Sequence, residues 1–451
     1  MFNAAFEKSL FCRLMGRLWA CFLEKARQSL IFRNLLESRV LLWLVNRLPA
    51  LSGVTIAALF IIPHSWFNNL YSLIVMCLLA GLTLLGVVGG QVKTAALPRM
   101  GGYAVVFWLL AVIGGLTSLS LSLSFRFLLF YFTAFLGLTV TLSVLSNRRE
   151  LVRFIAALLA AVSLSGIYGL LQTMAGLDIV RWHMDLRFNL SMPGRVFSFF
   201  DNPNAYAMIL VLTLPLYFAL FFMAETRLGR RLAFLGALPP IVALIFTLSR
   251  AGWMAFGLGM IVFFYFTYRW VIPLLGIAVV AILPVLPVTI RDRFLSTFGG
   301  EDSSILYRTK IRDTLQPVLS RRWFTGLGLG SETVMEELTV FYEENTQYSI
   351  LTWQIPPHTH NQYLQLWAEM GIAGAAAFCG MMIAFVKKCV ITLFTSPTKN
   401  FIAAAGLAGV TGALIMGFAD YIWFYPRVML LFWIVTGITL AAFKTRGGES
   451  S

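Results

Sequence analysis

The chain has 451 residues, 59% of them hydrophobic and 12% charged, with a mean hydropathy of +0.80 and a formal charge of +15. Soluble domains carry about 25% charged residues, so the composition excludes a string of soluble domains and fits one bundle of membrane helices. The basic residues are spread over short loops, as membrane topology requires, which excludes nucleic-acid binding as the source of the charge.

Taken in order, the chain begins with a basic segment, 1–46. Phe11, Leu14, Leu18 and Phe22 alternate with Arg13, Arg17 and Lys25, the pattern of an amphipathic helix on an anionic membrane face; a basic tail is the other reading. Arg13, Arg17, Lys25, Arg27, Arg33 and Arg39 interrupt this stretch, so no cleavable signal peptide is expected. Apolar runs follow near 47–62, 68–89, 103–120, 125–146, 151–175, 203–223, 232–249, 251–268 and 270–290. After a polar interruption come 361–386, 400–419 and 425–443. Each is near the ~20 residues that cross a bilayer. The expected fold is all-α: a polytopic bundle of about 12 transmembrane helices. Its parts are 47–290, one large extracytoplasmic loop at 291–360 carrying amphipathic helices, 361–443, and a tail at 444–451. The five cysteines form no CxxC pair and are expected as buried thiols.

Alternate loops differ in charge. One set holds the amino terminus, Lys93 with Arg99, Arg148 with Arg149, Arg227 with Arg230 and Arg231, Arg269, Lys387 with Lys388, and Lys444 with Arg446. The positive-inside rule makes this set cytoplasmic and places both termini inside. It also puts 176–202, Arg250, 291–360 and Asp420–Arg427 on the outer face. Arginine is disfavoured there, so Arg195, Arg250 and Arg427 need a second reason to occupy it.

Four constellations sit in those outer segments. The first is Gly194-Arg195-Val196-Phe197-Ser198-Phe199-Phe200-Asp201-Asn202-Pro203-Asn204. Asn202-Pro203 reads as a helix start. Arg195 beside it offers a planar charged fork to phosphate oxygens; snorkelling to the interface is the bland alternative. The second is Thr247-Leu248-Ser249-Arg250-Ala251-Gly252-Trp253, a polar break where an arginine needs a polar cavity or a partner. The third is His358-Thr359-His360-Asn361-Gln362-Tyr363-Leu364-Gln365, running on to Glu369-Met370-Gly371. Histidine is easily poised as a base near neutrality. His-x-His also suits a metal, but no Cys/His/Asp cluster at zinc spacing accompanies it. The fourth is Asp420 to Arg427, whose aromatics read as an interfacial belt and whose two charges read as a pair. Within 291–360, Ile305, Ile311, Leu315 and Leu319 are placed for the apolar face of a helix lying on the membrane. No GxxxxGK[ST] loop is present, which argues against ATP drive.

Together with Arg322-Trp323 and Gly326-Leu327-Gly328, these motifs in this order resemble the O-antigen ligase and polymerase family. The motifs lie between about residues 190 and 380, and the layout matches over the whole chain. The resemblance implies a membrane glycosyltransferase that uses a polyprenyl-diphosphate-linked glycan at the outer leaflet, without metal or other cofactor. It implies Arg195 and Arg250 on the diphosphate and His360 as the base on an acceptor hydroxyl. His358, Asn361, Asn202, Asn204, Arg308, Arg322, Asp420 and Arg427 are then the substrate-contacting candidates. The implied partners are the lipid-linked donor, a glycan or lipid-glycan acceptor and the bilayer, with no nucleic acid. Part of the pattern (Glu301 to Ser304, Arg322-Trp323, Gly326-Leu327-Gly328 and Asp420 to Arg427) is also similar to a branch of inorganic-carbon transporters that lacks the His-Asn motif. A small-anion transporter is therefore the competing expectation.

Overall fold

The computed structural model describes residues 9–93, 101–118, 120–175, 194–295, 303–344 and 357–444. Much of the expected outer segment 176–202 and, within 291–360, Glu301, Asp302 and Pro356 lie outside the described residues, as does Arg99 among the loop cations. The described residues are helical and contain no strand. Among the described residues, eight helices have the length and hydropathy to cross a membrane: α5 (Asn69–Val88), α7 (Leu121–Val144), α8 (Arg148–Met174), α9 (Pro203–Met223), α10 (Arg227–Phe246), α11 (Arg250–Thr267), α16 (Gln362–Thr395) and α18 (Pro426–Lys444). A pair bent by 74°, α3 (Arg39–Asn46) and α4 (Leu48–Leu59), passes the same test together. Three shorter apolar helices are α6 (Gly101–Leu116), α12 (Val271–Ile282) and α17 (Phe401–Met416). Every apolar run expected from the sequence falls on one of these. This is a multi-pass helical membrane bundle.

The centre of the bundle is α18, buried at every residue from Arg427 to Ala442. It packs against α7 and α17. Close approach around α17 depends on missing side chains. A Cβ on Gly409 would stand 2.5 Å from Leu212 O of α9, and one on Gly412 would stand 2.9 Å from Ala255 O of α11. Small residues at such contacts let membrane helices touch backbone to backbone.

At the amino terminus, α1 (Leu10–Gln28) and α2 (Leu30–Glu37) precede α3. Leu10, Phe11, Leu14, Met15, Leu18, Trp19 and Phe22 of α1 are exposed, which favours the amphipathic helix over a structureless tail. Arg27 Nε donates to Val88 O at 3.1 Å and ties α1 to the end of α5. Cysteine burial differs from expectation: only Cys389 is buried, Cys12 and Cys379 are half-buried, and Cys21 and Cys77 are exposed. An apolar run in a membrane bundle has a lipid face, so hydropathy alone does not place a thiol in the protein interior.

The polar interruption folds onto the bundle. It contains α13 (Val288–Leu295), α14 (Ser303–Arg321) and α15 (Ser331–Glu344). Leu315, Val318 and Leu319 of α14 are buried together with Leu327, Val334, Leu338, Phe341, Tyr342 and Ala368, and Ile311 is buried as well. The apolar face that reads as membrane-facing is thus covered by protein; the Ile305 side chain lies outside the described set. Alternate readings of one amphipathic face are indistinguishable until its partner helices are known. The connector between α14 and α15 threads against a break in α16. Gly371 there has φ +69° and ψ 179°. Ile372 N donates to Trp323 O at 2.9 Å, and Leu327 N donates to Ala368 O at 2.7 Å. A Cβ on Gly371 would overlap the carbonyl of Phe324. Gly371→Ala is expected to destabilise the fold by about 3 kcal/mol, combining left-handed backbone cost with the clash. A clear loss of thermal stability in detergent, read by intrinsic fluorescence, is the check; an unchanged midpoint would refute this account of the break.

Candidate functional site

Four helices begin at one place. Asn202 caps α9 by accepting from Asn204 N at 2.7 Å. Ser249 caps α11 by accepting from Gly252 N at 3.3 Å. Asn361 caps α16, accepting from the amides of Tyr363 and Leu364 at 3.0 and 2.9 Å. The fourth, α18, starts at Pro426, a residue suited to a first helical position. Helix N-termini carry partial positive charge and spare amides, so their convergence favours anions.

The loops feeding these starts are tightly anchored. Val196 N donates to Phe246 O at 3.0 Å, and Arg195 Nε donates to Thr247 O at 2.8 Å. Ser198 is held against α8: its amide donates to Gln172 Oε1 at 2.8 Å and its hydroxyl to Ser165 O at 2.6 Å. Among the described residues, the non-glycine positions with positive φ are Ser198 (55°), Leu248 (51°) and His360 (49°). One falls in each of the first three motifs. Such conformations cost about 1–3 kcal/mol each and collect at functional sites.

A continuous chain of hydrogen bonds joins the first, third and fourth motifs. Arg195 Nη2 donates to Asn204 Oδ1 at 2.6 Å. Asn204 Nδ2 donates to Asp420 Oδ2 at 3.2 Å. Asp420 Oδ1 lies 3.1 Å from His360 Nδ1. With the proton of His360 on Nδ1 and given to Asp420, Nε2 becomes the basic nitrogen, the arrangement in which a carboxylate orients a histidine base. His358 sits beneath. Its Nδ1 accepts from the amide of His360 at 3.2 Å, its ring lies 4.1 Å from that of His360 and 4.4 Å from that of Phe424 between centroids, and it is buried.

The second motif joins through charge. Arg293, on α13, donates from Nε to Leu248 O at 3.5 Å. Burial, Arg250 and Arg308 together bring its guanidinium down to about 10. Burial and Arg293 bring Arg195 to about 10, with Asp420 pulling the other way. Arg308, on α14, is lowered by burial and supported by Asp420, and its Nε is buried with no hydrogen-bond partner among the described residues. Arg195, Arg250, Arg293 and Arg308 therefore form a linked set of mutually repelling cations, and Arg195 and Arg308 of this set also feel the Asp420 carboxylate. All four stay cationic at neutral pH.

Burial pushes the His358 imidazole down to about 4, aided by His360 and Arg308 and opposed by Asp420. Burial raises Asp420, but the His360 hydrogen bond and the charges of His358, His360 and Arg308 outweigh it and hold the carboxyl well below its usual range. Both folded values lie below the ordinary ones. Their stabilisation is complete above the unfolded pKa and is lost on acidification. For His358 the window runs from about pH 6.5 down to about 4; the Asp420 contribution goes at lower pH still. The melting temperature of the purified protein is expected to be flat above pH 7 and to fall between pH 6 and 4, with a shallower fall in His358→Asn. A flat profile in the wild type would contradict the buried neutral histidine.

Other candidates are arranged differently. Asn361 Nδ2 donates to Phe418 O at 3.1 Å, so this residue fastens the third motif to the turn just before the fourth. Arg427 is buried; it donates to Ile62 O at 2.9 Å and Phe199 O at 3.0 Å and lies over the rings of Phe67 and Phe200. Its partners are loops, and Asp420 pairs with the histidines instead. Arg322 is exposed and faces Glu337 of α15. His358, His360 and Asp420 offer ligand atoms within 4.8 Å of one another, close enough for a cation. Arg195 and Arg308, the arginines that feel Asp420, set the local field against one. Arg293 has no sequence motif around it; the only signal was its expected position on the outer face, two residues after Arg291.

No curated protein is matched by the chain. A family model described as O-antigen ligase matches residues 232–379. That segment carries Arg250, Arg293, Arg308, His358 and His360, while Arg195, Asn204 and Asp420 reach the same site from outside it. Over residues 232–379, about a third of its length, the chain is thus similar to the O-antigen ligase family.

Proposed function

We propose that the protein transfers a polyprenyl-diphosphate-linked oligosaccharide, of the undecaprenyl type, to an acceptor hydroxyl at the outer face of a bacterial inner membrane. The observation that carries this reading is the unbroken run of hydrogen bonds from Arg195 through Asn204 and Asp420 to His360. It links a buried guanidinium, suited to an anion, to an oriented imidazole. Arg195 and Arg250, with Arg293 and Arg308, hold the diphosphate and stabilise the negative charge that grows on it. His360 Nε2 takes the proton of the acceptor hydroxyl. The acceptor oxygen then bonds to the anomeric carbon as the bond from that carbon to the phosphate oxygen breaks, and the lipid diphosphate leaves with the electron pair. Attack opposite the leaving group inverts the anomeric configuration. Asn204 and Asp420 position the two arms, and Asn202, Asn361 and Arg427 hold the loops that carry them. Arg322 is assigned to the rim, on the side of α15.

Both termini are placed in the cytoplasm by the loop charges. The donor is common to ligases and polymerases, which differ in acceptor. A small-anion carrier places its charges on discontinuous helices near the midplane; here the cations gather where four helices begin. The test uses purified protein in nanodiscs with a polyprenyl-diphosphate oligosaccharide, a panel of glycan and lipid-glycan acceptors, and a metal chelator. Transfer with inverted linkage, insensitive to the chelator, is the expected result. No transfer to any acceptor, with labelled bicarbonate moving across the same membranes, would replace the enzyme with the carrier.

A further inference from the structure

Beneath the histidines lies a carboxyl group that the proposed chemistry does not use. Glu369, on the short first part of α16, is fully buried. Its Oε1 accepts from Gln365 Nε2 at 3.0 Å and from Tyr421 OH at 3.0 Å. Tyr131 OH of α7 donates to Oε2 at 3.4 Å, and the backbone amide of Gly330, just before α15, also donates to the carboxyl group. A carboxylate is an acceptor-only group, and here donors from several separate segments converge on one.

Two of these partners lead directly to the site. Gln365 uses its other amide atom, Oε1, to accept from Thr359 N at 3.0 Å, and Thr359 lies between the two histidines. Tyr421 follows Asp420, and its amide donates to Asp420 Oδ1 at 2.9 Å. The same carboxyl group therefore grips the strained loop that aims His360 and the turn that aims Asp420. The Glu369 backbone also takes part: Gly328 N donates to Glu369 O at 3.2 Å, which fixes the connector between α14, the carrier of Arg308, and α15.

We propose that Glu369 is a positioning residue that sets the register of His360 against Asp420, acting through Gln365 and Tyr421, and locks the α14–α15 connector to the same point. Its catalytic consequence rests on the function proposed above; its structural consequence does not. Misplacement of a reacting group by about 1 Å costs about 10²-fold in rate, while donor binding by the arginines is untouched.

The test pairs two readouts on full-length protein. Hydrogen–deuterium exchange of peptides covering Thr359 and Tyr421 reads the network itself. Kinetics of transfer from a polyprenyl-diphosphate oligosaccharide reads its effect. Glu369→Leu is expected to speed exchange at both peptides, with kcat falling about 10²-fold and donor KM near that of wild type. Glu369→Gln keeps one acceptor oxygen and is expected to fall between Leu and wild type. Should Glu369→Leu fail to fold, Tyr421→Phe and Gln365→Leu each remove one arm, and each is expected to loosen only its own peptide. Wild-type exchange at both peptides in the Leu variant, or in both single-arm variants, overturns the proposal. If the wild-type protein transfers no glycan, the function fails while the exchange arm still decides the positioning role.

Discussion

His360→Ala is expected to lower kcat for transfer by about 10²–10⁴-fold, the usual contribution of a positioned general base. The protein still inserts and folds, because His360 is only partly buried and the caps of α9, α11 and α16 do not involve its ring. Tautomer control makes His360 the base. Asp420, 3.1 Å from Nδ1, keeps the proton there and turns Nε2 into the acceptor. His358 supports the backbone of His360 and remains neutral, so it neither repels a second proton on His360 nor competes for the substrate's. Asp420→Asn is then expected to share much of the loss, since an amide can present its NH₂ to Nδ1 and favour the wrong tautomer. Single-turnover transfer with labelled donor measures both variants. A wild-type rate in His360→Ala would remove the base from the mechanism.

Arg195→Ala is expected to lose about 10²–10³-fold in kcat, the range found when one stabiliser of developing charge is removed. Arg195→Lys does not restore it. The guanidinium works as a fixed fork: Nε is held by Thr247 O and Nη2 by Asn204 Oδ1, which leaves Nη1 to point an additional donor at a phosphate oxygen. A lysine offers a single mobile point charge and cannot satisfy both protein acceptors while reaching a ligand. Its loss also removes the donor that orients Asn204, and through Asn204 disturbs Asp420. The neighbouring cations make the effect of Arg250→Ala smaller in donor binding than a lone-cation site would give, because Arg293 and Arg308 keep the field positive. Donor affinity and kcat measured separately distinguish the two roles. Full activity in Arg195→Lys would mean that charge alone matters and that the fork does not.

The helical layout was legible in the sequence because lipid imposes long apolar runs and loop charges of alternating kind. Arg195, Arg250 and His360 were legible as candidates for a related reason: each is a polar residue where the membrane gives no cause for one. Pairing was harder to see. Asp420 is seven residues from Arg427 and sixty from His360, so local reading joined it to the arginine. In the fold, Arg427 turns to the carbonyls of Ile62 and Phe199 and stands over two aromatic rings. The face of α14 misled in the same manner, since burial by α15 and α16 has the same periodicity as burial by lipid. Glu369 was visible only as part of a motif; its role depends on Tyr131 and Tyr421, partners 238 and 52 positions away.

The most direct test of the shared pocket is a structure of the protein with a non-transferable polyprenyl-diphosphate sugar bound. Phosphate oxygens at about 3 Å from the guanidinium groups of Arg195 and Arg250, with the anomeric carbon facing His360 Nε2 across room for one hydroxyl, is the predicted result. A diphosphate seated away from these arginines, or an anomeric carbon turned from His360, would contradict the account.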